Sequence, residues 1–132
     1  MDLKSKLVHI AQDMRQRSRA PYSQYRVGAA VATADGAVIG GCNVENASYS
    51  LTCCAERVAL FRAVAEGHRH FQALAVATED GGSPCGACRQ VMWELCGEIP
   101  VYLVDGKGAV RETTSGRLLP AAFDADSLSS PT

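Results

Sequence analysis

Hydrophobic and polar positions along this chain repeat with two different periods, and the order in which the periods change predicts the elements. Over residues 3–17, Leu3, Leu7, Ile10, Ala11 and Met14 share one stripe with Lys, Gln, Asp and Arg opposite, the mark of an amphipathic packing helix. Pro21 prevents its continuation. From Tyr25 to Thr33 the period drops to two, with Val27, Ala29 and Val31 facing one way. Ala34-Asp35-Gly36-Ala37 is a hairpin turn signal, and residues 37–43 return as a second strand. Gly28, Gly40 and Gly41 inside this hairpin mark either a bulge or the close approach of another element.

The stretch from Cys54 to Glu66 is apolar on most faces, which predicts a helix that is buried or sits at a subunit interface, with Gly67 as its C-cap. Residues 73–78 lack alternation and read as a strand covered on both faces. Cys88, Val91, Met92 and Leu95 then follow an i, i+3, i+4, i+7 stripe, predicting a helix closed by Gly97. Residues 100–104 form another strand, and 105–117 read as loops and turns with a short strand near Val110. From Asp124 onward Asp, Ser, Pro and Thr dominate, so residues 125–132 are expected to fray. The order α-β-β-α-β-α-β predicts a single α/β domain over residues 1–132, a mixed sheet flanked by helices.

Size, charge and cysteine usage narrow the function classes. The 132 residues suffice for one domain with its own core. A net charge of −1 without a basic run gives no footprint for DNA or RNA, so a free small molecule is the expected partner. No apolar run approaches a membrane span, and Met1-Asp2-Leu3-Lys4 lacks a signal-peptide core. Six cysteines in such a chain argue for metal or catalysis over disulfides, and for a cytoplasmic location. His68 and His70 are expected to be plain surface histidines.

The candidate chemistry lies in Thr52-Cys53-Cys54-Ala55-Glu56-Arg57 and Ser83-Pro84-Cys85-Gly86-Ala87-Cys88-Arg89-Gln90. Cys85 and Cys88 are three apart, so at a helix start both sulfurs lie on one face. Cys54 and Glu56 would diverge by roughly 200° in mid-helix. They converge only if Cys54 opens its helix. Two helix N-termini would then flank three thiols, and their partial positive charge favours thiolates. Three protein ligands with one open position suit a catalytic zinc. Glu56, left free, would shuttle protons between water and substrate. Arg57 follows Glu56, three residues after Cys54, and Arg89 directly follows Cys88; both are expected to donate hydrogen bonds to the sulfurs. Asn43 and Glu45 share one side of an extended segment, a donor–acceptor pair suited to a sugar hydroxyl or a solvated loop. Cys42, Cys53 and Cys96 read as small buried apolar residues.

C-x-x-C alone is also the spacing of a thiol redox pair. A closed structural zinc site would need Cys53 as a fourth ligand. Cys54 and Glu56 together favour the catalytic metal.

These residues resemble the cytidine deaminase family of zinc-dependent nucleoside deaminases, specifically its small, homotetrameric, three-cysteine branch. Pro21-Tyr22-Ser23-Gln24-Tyr25-Arg26-Val27-Gly28-Ala29-Ala30 resembles the family's opening segment, Asn43-Val44-Glu45-Asn46-Ala47-Ser48-Tyr49 its ribose-binding segment, and Leu118-Leu119-Pro120-Ala121-Ala122-Phe123 its C-terminal segment. The resemblance implies a three-layer α-β-α fold on a mixed five-stranded sheet and one Zn²⁺ per chain on Cys54, Cys85 and Cys88. It implies hydrolytic deamination of cytidine and 2′-deoxycytidine, with Glu56 catalytic and Asn43 and Glu45 on the ribose 3′-hydroxyl. Position 25 would contact the nucleoside; relatives often carry Phe there, and the Tyr25 hydroxyl needs a partner. Backbone groups near Ala55 and Cys85 would fix the ring. Ala47, Tyr49 and Phe123 match residues lent across subunits. A blasticidin-type deaminase, which shares C-A-E and P-C-G-x-C-R-Q, is the closest alternative.

Overall fold

A computed structural model describes residues 1–128. Helix α1 (Leu3–Arg15) starts at Asp2, whose carboxylate accepts the Ser5 N–H at 2.8 Å, an N-cap that satisfies one of the free first-turn amides. It ends two residues before the sequence pattern fades. Strand β1 (Gly28–Thr33) likewise begins three residues later than alternation predicts, because Arg15 Nε holds the Arg26 carbonyl and Asn43 Oδ1 takes the Val27 N–H. The remaining elements are β2 (Val38–Cys42), a 3₁₀ turn (Tyr49–Leu51), α2 (Ala55–Ala65), β3 (Phe71–Ala77), α3 (Gly86–Cys96), β4 (Pro100–Val104), β5 (Val110–Thr114) and the short α4 (Ser115–Leu118). Ala125–Leu128, expected to fray, form a single 3₁₀ turn; the rest of the expected tail, 129–132, lies outside the described residues.

The five strands form one sheet in the order β2-β1-β3-β4-β5, with β3 and β4 parallel and every other pair antiparallel. Alternate residues face opposite layers. Ala29, Val31, Leu74, Val76, Val101 and Leu103 pack with Ala55, Ala59, Leu60 and Ala63 of α2 and Met92 of α3. On the other face Ala30, Ala32, Ala73, Ala75 and Ala77 pack with Leu7 and Ala11 of α1. The fold is therefore three layers, α-β-α, with the mixed five-stranded sheet between them.

Two glycines set how near the helices come. A Cβ on Gly28 would lie 2.0 Å from the Ala11 carbonyl oxygen of α1, and one on Gly41 would lie 2.4 Å from the Ala59 nitrogen of α2. The glycines mark backbone-to-backbone contact of helix and strand. Only a residue without Cβ permits that approach, and it places the start of α2 beside the end of β2.

Candidate metal centre and active site

Cys54 is the N-cap of α2 and Cys85 the N-cap of α3, both with extended backbone (ψ 153° and 168°), and neither thiol caps its own helix. Their carbonyls open the helical ladders, accepting from Val58 and Arg89 at 3.0 Å. The sulfurs are thus free to meet between two helix N-termini. Cys54 Sγ lies 3.8 Å from Cys85 Sγ, which lies 3.4 Å from Cys88 Sγ, and all three fall within 4.8 Å of one another. Zinc–sulfur bonds of about 2.3 Å in tetrahedral geometry require sulfurs about 3.8 Å apart. The donor set fits a soft divalent cation with one position left over.

A short return of chain brings Cys54 to this place. Val44 and Cys53 exchange both backbone hydrogen bonds at 3.0 Å, while Asn43 and Glu45 pair with Arg19 on the other side. Cys53 thus contributes backbone. Its neighbour turns the thiol inward, as the C-x-E spacing requires.

Arg57 reaches back one turn, and its Nη2 donates to Cys54 Sγ at 3.3 Å. A hydrogen bond from Cys88 foremost, with that from Arg57 behind it, favours the Cys54 thiolate over the thiol, against burial. Cys88, which shares the proton with Cys54 and is buried, is pushed strongly the other way. Arg89 departs from expectation. Helical side chains lean toward the N-terminus, and its guanidinium overshoots the sulfurs to reach the Pro84 carbonyl (2.7 Å), Ser83 Oγ (2.7 Å) and the Leu118 carbonyl (2.9 Å). It holds the turn that carries Cys85 instead of the sulfur itself.

Glu56 stands in the first turn of α2, only 4% exposed. Burial, with the negative charge at Cys54 behind it, raises its carboxyl to about 7, so it exchanges a proton near neutrality. Glu56, Cys54 and Cys85 line a cavity of about 330 Å³ whose other wall carries Asn43, Glu45, Ser23 and Tyr25. That volume lies in the range of small-molecule sites. An adjoining cavity of about 390 Å³, lined by Tyr22, Ser23, Glu45, Asn46, Tyr49 and Thr52, contains neither Glu56 nor a cysteine. The reactive groups therefore single out the smaller one.

Sequence reasoning missed the hydrogen bonds that hold this wall. Asn43 Oδ1 accepts from the Ser18 hydroxyl and from Val27 N–H at 3.0 Å, and Nδ2 donates to the Tyr25 carbonyl at 2.8 Å. The Tyr25 hydroxyl donates to Asp80 Oδ1 at 2.8 Å, an oxygen that also takes Thr78 Oγ1 (3.2 Å) and Gly82 N–H (3.0 Å). These three donors hold the Asp80 carboxyl below its usual range, Tyr25 foremost. The partners lie up to 55 residues apart, and no local pattern announces them. Ala55 is fully buried at the start of α2, whereas Ala47, Tyr49 and Phe123 are exposed and do not line the cavity of their own chain. The ring of Tyr49 stands edge-on to Tyr22, 6.3 Å between centroids.

The fold and the three-sulfur centre define a class: an α-β-α protein with a metal-binding site at the tips of two helices beside a buried acid. Residues 1–103 match the family described as the cytidine and deoxycytidylate deaminase zinc-binding region, and the chain belongs to that family. A cytidine deaminase of Sporosarcina psychrophila is 50% identical over 127 residues, covering 94% of this chain and 93% of that protein. The crystal structure of cytidine deaminase from Burkholderia pseudomallei superposes with a TM-score of 0.86 at 52% identity, covering 90% of this chain and 98% of that one. A blasticidin-S deaminase of Bacillus cereus is more remote, 27% identical over 111 residues.

Proposed function

We propose that this chain deaminates cytidine and 2′-deoxycytidine hydrolytically, giving uridine or 2′-deoxyuridine and ammonia. The observation that carries this reading is a buried carboxyl, Glu56, lining one cavity with Cys54, Cys85 and the Asn43–Glu45 pair, with the Cys88 sulfur 3.4 Å from that of Cys85. Cys54, Cys85 and Cys88 would hold one Zn²⁺ per chain, whose chemistry when bound is to make water a nucleophile at neutral pH. Glu56 takes a proton from the attacking water and delivers it to N3 of the pyrimidine, which makes C4 electrophilic. Glu56, ionised again, then takes the second proton from the new C4 hydroxyl and passes it to the amino nitrogen, which departs as ammonia and leaves a carbonyl at C4. Arg57 offsets the excess negative charge of three thiolates through its bond to Cys54. The buried N-terminus of α2 at Ala55 and the turn at Cys85 present backbone groups to the ring.

Asn43 and Glu45 hold the sugar. Asn43 retains one N–H after its three internal bonds, and Glu45 one acceptor site after its own three. One donor beside one acceptor matches a single hydroxyl group. This feature, with the much higher identity to cytidine deaminases, favours a nucleoside over a blasticidin-type substrate.

Exposed Tyr49 (76%), Leu51 (68%), Phe123 (58%) and Phe61 (49%) support assembly into a homotetramer in which Ala47, Tyr49 and Phe123 complete a neighbour's site. Reduced thiol ligands and a free nucleoside suit the cytoplasm, and no described helix is long and apolar enough to cross a membrane. We read residues 1–132 as one domain. Loss of cytidine's ultraviolet absorbance, followed with and without a zinc chelator, tests the activity. Turnover abolished by chelator and restored by zinc is expected; no turnover with zinc bound contradicts the reading.

A further inference from the structure

Glu45 is nearly saturated by its own chain. Oε1 accepts backbone N–H groups from Tyr22 (3.0 Å) and Ser23 (3.1 Å), and Oε2 accepts the Ser23 hydroxyl. Ser23 Oγ in turn accepts the Tyr25 N–H at 2.9 Å, so its lone hydrogen has a fixed direction, toward Glu45. A carboxylate offers about four acceptor sites. Three are filled, the last is on Oε2, and Glu45 lines the cavity together with Asn43.

We propose that Ser23 is the positioning residue that makes Glu45 selective for a sugar hydroxyl: its bond fixes the carboxylate plane and leaves one lone pair to accept from the ligand. The inference rests on the reading of Asn43 and Glu45 as the sugar site. Without the Ser23 hydroxyl, Oε2 has two open acceptor sites and its anchor on that side is lost. Water fills both, and an incoming hydroxyl must displace water from a mobile acceptor. The arrangement also excludes a phosphate ester at the same position. Such an oxygen brings no hydrogen to donate, and its charge opposes a carboxylate that Ser23 and the Tyr22 and Ser23 amides hold ionised. The favoured ligand class is a nucleoside with a free secondary hydroxyl at this point of the sugar. Ser23 is exposed on a loop, apart from both core clusters, so its hydroxyl acts on the site and not on the fold.

The test compares cytidine with 3′-deoxycytidine on the zinc-loaded protein. Ser23→Ala is expected to raise KM for cytidine roughly ten-fold, the scale of one hydrogen bond to a charged group, with kcat within about two-fold. KM for 3′-deoxycytidine should not move, because that substrate lacks the hydroxyl through which Ser23 acts. Ser23→Thr, which keeps the donor, should restore the preference. Equal changes for both substrates, a loss confined to kcat, or no change at all would overturn the role of Ser23. If Ser23→Ala does not fold, Ser23→Cys carries the same comparison, a weaker donor giving the same KM split. Absence of cytidine turnover by the unaltered protein would defeat the nucleoside reading instead, whatever the variants do.

Discussion

At the sulfur end of the cavity each reactive group stands in or at the first turn of a helix: Cys54 and Glu56 on α2, Cys85 and Cys88 on α3. At the opposite wall Asn43 and Glu45 stand in irregular chain, held by hydrogen bonds from Ser18, Tyr22, Ser23 and Val27. The first end gains its geometry from rigid elements packed through Gly41 and Ala59. The second is fixed by internal hydrogen bonds that leave Asn43 one N–H and Glu45 one acceptor site. The proposed proton carrier thus sits on a helix, and the proposed sugar-binding pair on a loop whose hydrogen-bonding options are narrowed.

The largest effect expected at the sulfur end distinguishes neighbouring thiols. Cys54→Ser should lose the bound metal and all turnover, whereas Cys53→Ser should keep both, because Cys53 contributes backbone pairing with Val44. Metal content by elemental analysis, beside a cytidine assay, checks this; exchanged outcomes would shift the ligand register by one.

Glu56 yields a prediction about pH. Its carboxyl titrates near 4.5 in the unfolded chain and near 7 in the fold. Below the lower value both states hold the proton and the group is stability-neutral. Between the two values the unfolded chain ionises first, so stability falls as pH rises and levels off above the folded value. The full loss is on the order of 3 kcal/mol. In chelator, Glu56→Gln should therefore melt higher than the unaltered protein at pH 8 and equally near pH 4. Parallel melting curves across that range would contradict the buried, proton-holding carboxyl.

The rim of the loop end should respond least. Tyr25→Phe keeps the ring and removes one bond to the Asp80 carboxylate. Faster amide exchange confined to residues 80–83, with KM raised a few-fold, is expected; unchanged exchange there would free Tyr25 from that duty.

How much the chain announced follows the same division. Cys54-x-Glu56 and Pro84-Cys85-x-x-Cys88 are local spacings; helix geometry requires Cys54 to open its helix and Pro84 suits a start at Cys85, and both residues are N-caps. The apolar stripes gave α1 and α3 to within a few residues. Strand β5 was legible only near Val110 because Val110, Arg111 and Glu112 are exposed on a sheet edge and show no inward alternation. Ser23 could not be linked to Glu45, nor Tyr25 to Asp80, since side-chain bonds across 22 and 55 residues leave no periodic trace. Arg89 was misassigned for a related reason: adjacency to Cys88 says nothing of which turn a long side chain covers.

The proposed deamination requires a proton carrier that is separate from the metal ligands. Glu56→Gln, assayed for zinc per chain and for cytidine turnover in the same preparation, tests this most directly. One zinc per chain with kcat lower by about 10²–10⁴-fold is predicted, the range of general acid–base catalysis. Turnover near that of the unaltered protein, or loss of the metal with the carboxylate, would contradict it.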